Sequence, residues 1–417
     1  MSIKTIKFFG KGRFFHLFIF AVLSVLLIQC KDNAFNAGTD SVGVVIDKVP
    51  GSAGNTIALS AEPIHGINIP GNWNGDLLVY AHGYVDPQKD IAIPSDSIEG
   101  VPVSSLIENF GMAYATTSYP HTGLNGTEAV ADLINLVSEF VNSNGQPNHI
   151  YLAGVSEGGL VTAMAIEKHP EIFNAGIAAC GPIGDFGKQL NYFGDFHVLF
   201  NYFFPEVQIG SPIGIKDQII RKWQMGHLQK KVKRMINLKP DKALTLLKVA
   251  GIPIKDPKNM EEVETAILGI LRYNVLATND AIERLGGEPF ENTPFDNSSR
   301  VYTGTGSSLE DVKLNRKVER FKADSGLLAV IDSDFSTTGK LLRPLITPHT
   351  IYDPIVPFWH EAIYQSKVNQ QNSSPLYQNV PLDKFGHCNF SIQEITNILN
   401  LITGDSGLQK LASKTDE

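Results

Sequence analysis

His149-Ile150-Tyr151-Leu152-Ala153-Gly154-Val155-Ser156-Glu157-Gly158-Gly159 reads as a short apolar strand driven into a tight turn, and Leu160 to His169, stopped by Pro170, as the helix that leaves it. Gly-x-Ser-x-Gly alone is a weak signal in a chain with 37 glycines. Its setting strengthens it, because a strand–turn–helix holds the serine in a strained conformation that small neighbours permit, with a helix N-terminus behind it to favour negative charge. Ser156 is therefore a candidate nucleophile, the bland alternative being a glycine turn with an idle serine.

The same rhythm continues on both sides. Asp76 to Ala81 is a strand ending in His82-Gly83-Tyr84, and Met112 to Ser118 is a second. Thr127 to Val141 has helical spacing through Val130, Leu133, Ile134, Val137 and Val141, and Ala175 to Ala179 is a buried strand closed by Cys180-Gly181-Pro182. The alternation returns at Leu341 to Thr347 and continues through a helix at Phe358 to Val368, a strand at Tyr377 to Leu382 and a helix at Ile392 to Ile402. Strands alternating with helices predict an α/β fold, a mainly parallel sheet with helices on both faces. Residues 185–324 break the rhythm with helical pieces and aromatic clusters, and are predicted to be an inserted lid in a core of residues 43–184 and 325–417.

A serine hydroxyl needs a base to take its proton, and imidazole suits both steps of acyl transfer. Of 11 histidines, His387 stands out in Lys384-Phe385-Gly386-His387-Cys388, between the last strand and the last helix. His82 and His169 read as structural, and His65, His121 and His197 as possible pocket residues. The orienting acid is Asp353, in Ile351-Tyr352-Asp353-Pro354-Ile355-Val356-Pro357, with Asp332 and Asp334 as rivals that precede the strand. Serine, acid, histidine is then the chain order. His349, Asp353 and His360 have poor spacing for a metal, and neither metal nor cofactor is expected. The oxyanion donors are expected to be the backbone N–H groups of Glu157 and Tyr84. The Glu157 carboxylate is expected to form a salt bridge nearby.

A net charge of −8 and a pI of about 5.8 disfavour nucleic acid as a partner, and Lys230, Lys231, Lys233 and Arg234 read as a solvated helix face. Lys4, Lys7, Lys11 and Arg13 precede an apolar run from Phe14 to Ile28, the pattern of a secretion signal. Leu27-Ile28-Gln29-Cys30 resembles a lipoprotein signal, which implies residues 1–30 as signal peptide, a lipidated Cys30, residues 31–42 as a polar tether and an exported, membrane-anchored protein. Cys180 and Cys388 remain in the mature chain, where they could pair or stay as two buried thiols.

Taken together, Gly154-Val155-Ser156-Glu157-Gly158, His82-Gly83, Asp353-Pro354-Ile355-Val356-Pro357 and Gly386-His387-Cys388 resemble the α/β-hydrolase superfamily, and Asn72-Trp73-Asn74-Gly75 resembles a group of exported bacterial hydrolases of esterase or lipase type. The resemblance covers residues 60–184 and 325–403 and implies an eight-stranded, mostly parallel sheet and acyl-enzyme chemistry. Some feruloyl esterases of this kind tie the histidine loop by a disulfide to a cysteine beside the nucleophile; here no cysteine adjoins Ser156. A small-molecule or lipid ester is the expected substrate, held by Phe193, Phe196, Phe200, Tyr202, Phe203 and Phe204, which read equally as the core of the lid. The alternatives are a peptidase or amidase, with Glu261, Glu262 and Glu264 as candidate anchors for an amine, and an inactive surface binding lipoprotein.

Overall fold

A computed structural model of the chain describes residues 62–293 and 300–404. Cys30, the signal segment and the tether lie outside the described residues. Nine strands are described: β1 (His65–Asn68), β2 (Leu77–Ala81), β3 (Ser97–Ile98), β4 (Val101–Pro102), β5 (Ala113–Thr117), β6 (Ile150–Val155), β7 (Ala175–Ala179), β8 (Leu345–Tyr352) and β9 (Tyr377–Phe385). Seven of them form one sheet in the order β1-β5-β2-β6-β7-β8-β9, with β1 antiparallel to its neighbour and the rest parallel. Among the described residues the sheet thus has seven strands where the resemblance implies eight. Neither β1 nor the β3–β4 hairpin is foreseen in the sequence.

Strand periodicity distributes the core over two faces. Leu77, Val79 and Ala81 of β2 point to one apolar layer and Leu78 and Tyr80 to the other. On the first face lie α2 (Thr127–Asn144) and α3 (Glu157–Lys168), and on the second α1 (Val103–Asn109). The middle strand, β6, delivers Ser156 at its C-terminal end, and α3 leaves from there. Gly158 is required at that crossing, since a Cβ would strike the carbonyl oxygens of Ala81 and His82. The architecture is an α/β-hydrolase fold.

β8 starts after Pro344 and runs to Tyr352, well past the Thr347 at which the sequence pattern ends. Pro348 stops the pattern because proline cannot donate to a ladder. Beyond Ile346, however, the ladder of β8 continues with β9 alone, and the Pro348 carbonyl faces Cys180 on the side that β7 has left.

Between β7 and β8 come eight described helices: α4 (Phe186–Phe203), α5 (Asp217–Gln224), α6 (His227–Leu238), α7 (Pro240–Ala250), α8 (Met260–Leu276), α9 (Thr278–Leu285), α10 (Ser308–Lys317) and α11 (Leu327–Asp334). Most of them bury a core of their own, in which Phe196, Phe200, Phe203 and Phe204 meet Trp223, Val232, Leu246 and Ile270, whereas α9 and α11 pack Ala281, Leu285, Leu327 and Ile331 onto the sheet core. Four of the six aromatic side chains considered for substrate are thus insertion core, and Tyr202 packs against it. The basic side chains of Lys230, Lys231, Lys233 and Arg234 lie exposed along α6. The chain closes through α12 (Trp359–Gln370) on the first face of the sheet and α13 (Ile392–Thr403) on the second. No helix among the described residues is long and apolar enough to cross a membrane.

Candidate active site

Three loops at the C-terminal ends of β6, β8 and β9 meet. Ser156 sits at φ 56°, a conformation an L-residue avoids, held by its N–H to the Ala179 carbonyl and by Gly159 N–H to its own carbonyl. Its Oγ lies 2.8 Å from His387 Nε2, and His387 Nδ1 lies 2.7 Å from Asp353 Oδ2. With Nδ1–H donating to the carboxylate, Nε2 is left as the acceptor for the serine hydroxyl.

Each partner is fixed by its own loop. Asp353 is fully buried, and its Oδ1 accepts the N–H groups of Ile355 and Val356, so the residue folds its own turn. Burial works to raise its carboxyl, but the two imidazoles beside it, His387 foremost, bring it down to about 2. The His387 loop is pinned by Gly386, whose N–H reaches the Tyr352 carbonyl and whose carbonyl accepts from Thr350 Oγ1. Cys388 is disulfide-bonded to Cys180 at the end of β7, with the Cα atoms 5.6 Å apart. Beyond it, Ser391 and Glu394 form a capping box at the start of α13, and Glu394 also pairs with Lys384 at 2.9 Å.

The loop after β2 passes close to the nucleophile. A Cβ on Gly83 would stand 3.2 Å from Ser156 Cβ and from the Val155 carbonyl oxygen, a tight fit in which those neighbours would have to give, and Tyr84 follows beside the serine. Tyr84 is held from the insertion, since its hydroxyl donates to Asp280 Oδ2 on α9, which also accepts Leu124 N–H. The N–H of Glu157 opens α3, among the helix-end donors that have no partner within the helix.

The Glu157 carboxyl departs from expectation. It is buried without a cation: Oε1 accepts Asn125 N–H, Oε2 has no hydrogen-bond partner among the described residues, and burial pushes the group well above the usual carboxylate range. Glu157 lines the cleft over Ser156, and no ion pair of its carboxyl with a basic side chain is found among the described residues. His65 and His121 do not line the cleft either, since they face Asp132 and Glu139, and Glu128, and His197 is buried in the insertion. Asp332 and Asp334 lie on α11, away from His387. His349 and His360 do not converge with Asp353 as a ligand set: both nitrogens of each ring already have protein partners.

Over Ser156 opens a cleft enclosing about 850 Å³, part of it open to solvent. Its wall is mainly apolar, with Phe186, Leu190, Phe193, Tyr273, Phe290 and Val356. Phe193 alone of the six aromatic candidates lines it, stacked on Tyr273 with ring centroids 5.5 Å apart. Glu261, Glu262 and Glu264 do not line it. Asp280 carries no signal in the sequence, and His349 stands out there only as a metal candidate, since their contacts with Tyr84 and Glu361 span 196 and 12 residues that no local motif encodes.

Strand order, serine turn and the geometry around it are those of a serine hydrolase on an α/β-hydrolase fold. Residues 109–187, which carry the serine turn, match the prolyl oligopeptidase family. No curated protein matches the chain. Among solved structures it is similar to feruloyl esterase B from Aspergillus oryzae, at 13% identity and TM-score 0.42, over 80% of this chain and 73% of that one. It is also similar to an acylaminoacyl peptidase from Pyrococcus horikoshii, at 12% identity and TM-score 0.40, over 82% of this chain and 39% of that one, so it spans about two fifths of that enzyme's length. A third is Est1E from Butyrivibrio proteoclasticus, at 14% identity and TM-score 0.36, over 84% of this chain and 95% of that one.

Proposed function

We propose that the chain hydrolyses carboxylic esters through an acyl-enzyme on Ser156, with His387 as general base and Asp353 as the acid that orients it. His387 takes the hydroxyl proton as Oγ bonds to the ester carbonyl carbon, then gives it to the departing alcohol. Water, activated by the same imidazole, releases the acid and restores the serine. The backbone N–H groups of Tyr84 and Glu157 take the charge that develops on the carbonyl oxygen.

The observation that carries the ester reading is the apolar wall of the cleft. Such a wall holds an acyl or alcohol group by area burial, at about 25 cal/mol per Å². An amide needs more, because its leaving nitrogen must be protonated while both sides of the bond are held in place. Matched ester and anilide substrates, assayed side by side, test this. A kcat/KM for the anilide equal to or above that for the ester moves the reading to a peptidase or amidase, which the prolyl oligopeptidase match over residues 109–187 favours. Rapid labelling of Ser156 by a fluorophosphonate is expected, and an unreactive serine would return the chain to the binding-lipoprotein reading.

The N-terminal sequence supports an exported enzyme anchored by a lipid on Cys30, with residues 31–42 as spacer. Mass spectrometry of the mature N-terminus tests this; a first residue beyond position 30 without lipid removes the anchor.

A further inference from the structure

Beside Asp353 lies a second acid–histidine pair, fully enclosed by protein. His349, on β8, and Glu361, on α12, are both buried, with His349 Nδ1 2.7 Å from Glu361 Oε1 and His349 Nε2 2.8 Å from the Val356 carbonyl oxygen. A carbonyl oxygen only accepts, so Nε2 carries a proton. Glu361 Oε2 accepts from Thr347 Oγ1, Tyr377 OH and Asn379 Nδ2, at 2.6, 2.8 and 2.8 Å, a donor set that suits an ionised carboxylate. Nδ1 then donates to that carboxylate, and the ring carries both protons. His349 Nε2 is also 3.6 Å from Asp353 Oδ2, the oxygen that receives His387 Nδ1–H.

We propose that His349 is a resident imidazolium and a positioning residue of this site: it anchors the acid turn through the Val356 carbonyl and offsets the charge of Asp353, so that His387 gives up its proton at a lower pH. The inference rests on the assignment of Ser156, His387 and Asp353 made above. Val356 links the two residues, since its N–H donates to Asp353 Oδ1 and its carbonyl accepts from His349 Nε2. Burial opposes the charge on His349, but Asp353 and Glu361 outweigh it and bring the ring to about 10.

The other groups packed around the pair leave this balance in place. His360, beside Glu361 on α12, accepts the amides of Gly184 and Asp185 at Nδ1 and faces Gln189 Oε1 with Nε2, the pattern of a neutral ring. The Tyr192 hydroxyl donates to the Pro354 carbonyl, the Tyr377 hydroxyl to Glu361, and Phe358 lies edge-on to the His349 ring. With Glu361 on the far side of the ring, the cation is the nearer charge to Asp353, and its removal strengthens the pull of Asp353 on the His387 proton.

The test uses full-length protein labelled with 15N-histidine, the ring signals of His349 being identified as those lost in His349→Gln. Both ring nitrogens of His349 are expected to be protonated at pH 8; a neutral ring there overturns the proposal, whatever the enzyme acts on. In parallel, the rate of Ser156 labelling by a fluorophosphonate is followed against pH in the wild type, in His349→Gln and in His349→Gln/Glu361→Gln, which removes both charges where the single change could leave a buried anion and an unfolded chain. The acid limb is expected to move up by about one pH unit in the folded variants. A uniform loss of rate with the limb unmoved would mean a merely structural role and overturns the proposal. A wild-type serine that does not label at any pH breaks the hydrolase reading instead, and the ring signals still decide the charge on His349.

Discussion

The two walls of the cleft are held by different forces. On the sheet side, Ser156, Asp353 and His387 stand at the ends of β6, β8 and β9, and each loop is tied by directional bonds: Ser156 N–H to the Ala179 carbonyl, Asp353 Oδ1 to two amides, Gly386 to Tyr352 and Thr350, and Cys388 to Cys180 through the covalent disulfide. On the insertion side, Phe193, Tyr273 and Phe290 reach the cleft through apolar packing, with the Asp280–Tyr84 and Gln189–Ile355 bonds among the polar ties to the sheet side. Ile355 and Val356 connect the two, since their amides hold the acid while their side chains join the insertion core. Directional bonds fix atoms to the tolerance that proton transfer needs, whereas packing fixes a volume. Reaction type is therefore expected to reside in the first wall and substrate choice in the second.

The largest effect expected lies on the sheet side. Ser156→Ala and His387→Ala should each lower kcat by about 10⁴ to 10⁶, with the double change hardly worse, because the residues act as one unit. Asp353→Asn should cost less than either. Melting of the insertion should be unaltered in Ser156→Ala, and near-native turnover in that variant breaks the division between the walls at once.

Next is the disulfide. Replacing Cys180 and Cys388 together by serine should lower stability by about 2–4 kcal/mol, as seen in chemical denaturation, because the bond closes a loop of 208 residues. The loss should be matched by adding a reductant to the wild type. Since the bond ends beside His387, kcat should fall several-fold while KM for a small ester stays put. Equal kcat values for the oxidised wild type and the serine variant would show that the disulfide does not help to hold the first wall.

The same division explains what could be read from the chain. Ser156, Asp353 and His387 were legible because each follows a strand and sits in a local signature, and Ala175–Ala179 because a buried strand is a simple apolar run. Strand β8 was legible only in part, Pro348 hiding its second half. The seating of Glu157, the reach of Asp280 to Tyr84 and the pair beside Asp353 were not legible, since burial and hydrogen bonding between distant segments leave no periodic trace. The insertion was visible as a change of rhythm, yet which of its aromatic residues would face the cleft depends on how its helices pack. Of the six side chains predicted to hold substrate only Phe193 does, while Phe186, Tyr273 and Phe290, which no motif marks, line the cleft as well.

Phe193→Ala probes the second wall. It should lower kcat/KM for bulky acyl esters by about tenfold and leave p-nitrophenyl acetate unchanged, because only the larger group reaches the ring. An equal loss for both esters would place Phe193 among the parts that hold the reacting atoms and blur the comparison.

The smallest effect is a difference in pH response between the walls. His197 is fully buried in the insertion, with Nε2 3.2 Å from the Gly210 carbonyl oxygen and no hydrogen-bond partner for Nδ1 among the described residues, and burial lowers it to about 4. The unfolded chain takes up that proton near pH 6.5 and the folded chain does not until about pH 4, so the contribution of His197 to stability is complete above 6.5 and declines as pH falls through that window. Asp353, lowered to about 2, loses nothing until pH drops below the ordinary carboxylate value, and His349, raised to about 10, loses its contribution only as pH rises from 6.5. Between pH 7 and 5.5 the His197 share should be about 1 kcal/mol. Urea denaturation at those two pH values, in the wild type and in His197→Leu, isolates it, because the gap between the two proteins should shift in favour of the variant at the lower pH. A constant gap would show that His197 carries the same proton folded and unfolded, and that the acid response of the insertion originates elsewhere, with His360 at the seam, whose ring burial holds well below its ordinary value, as the next group to replace.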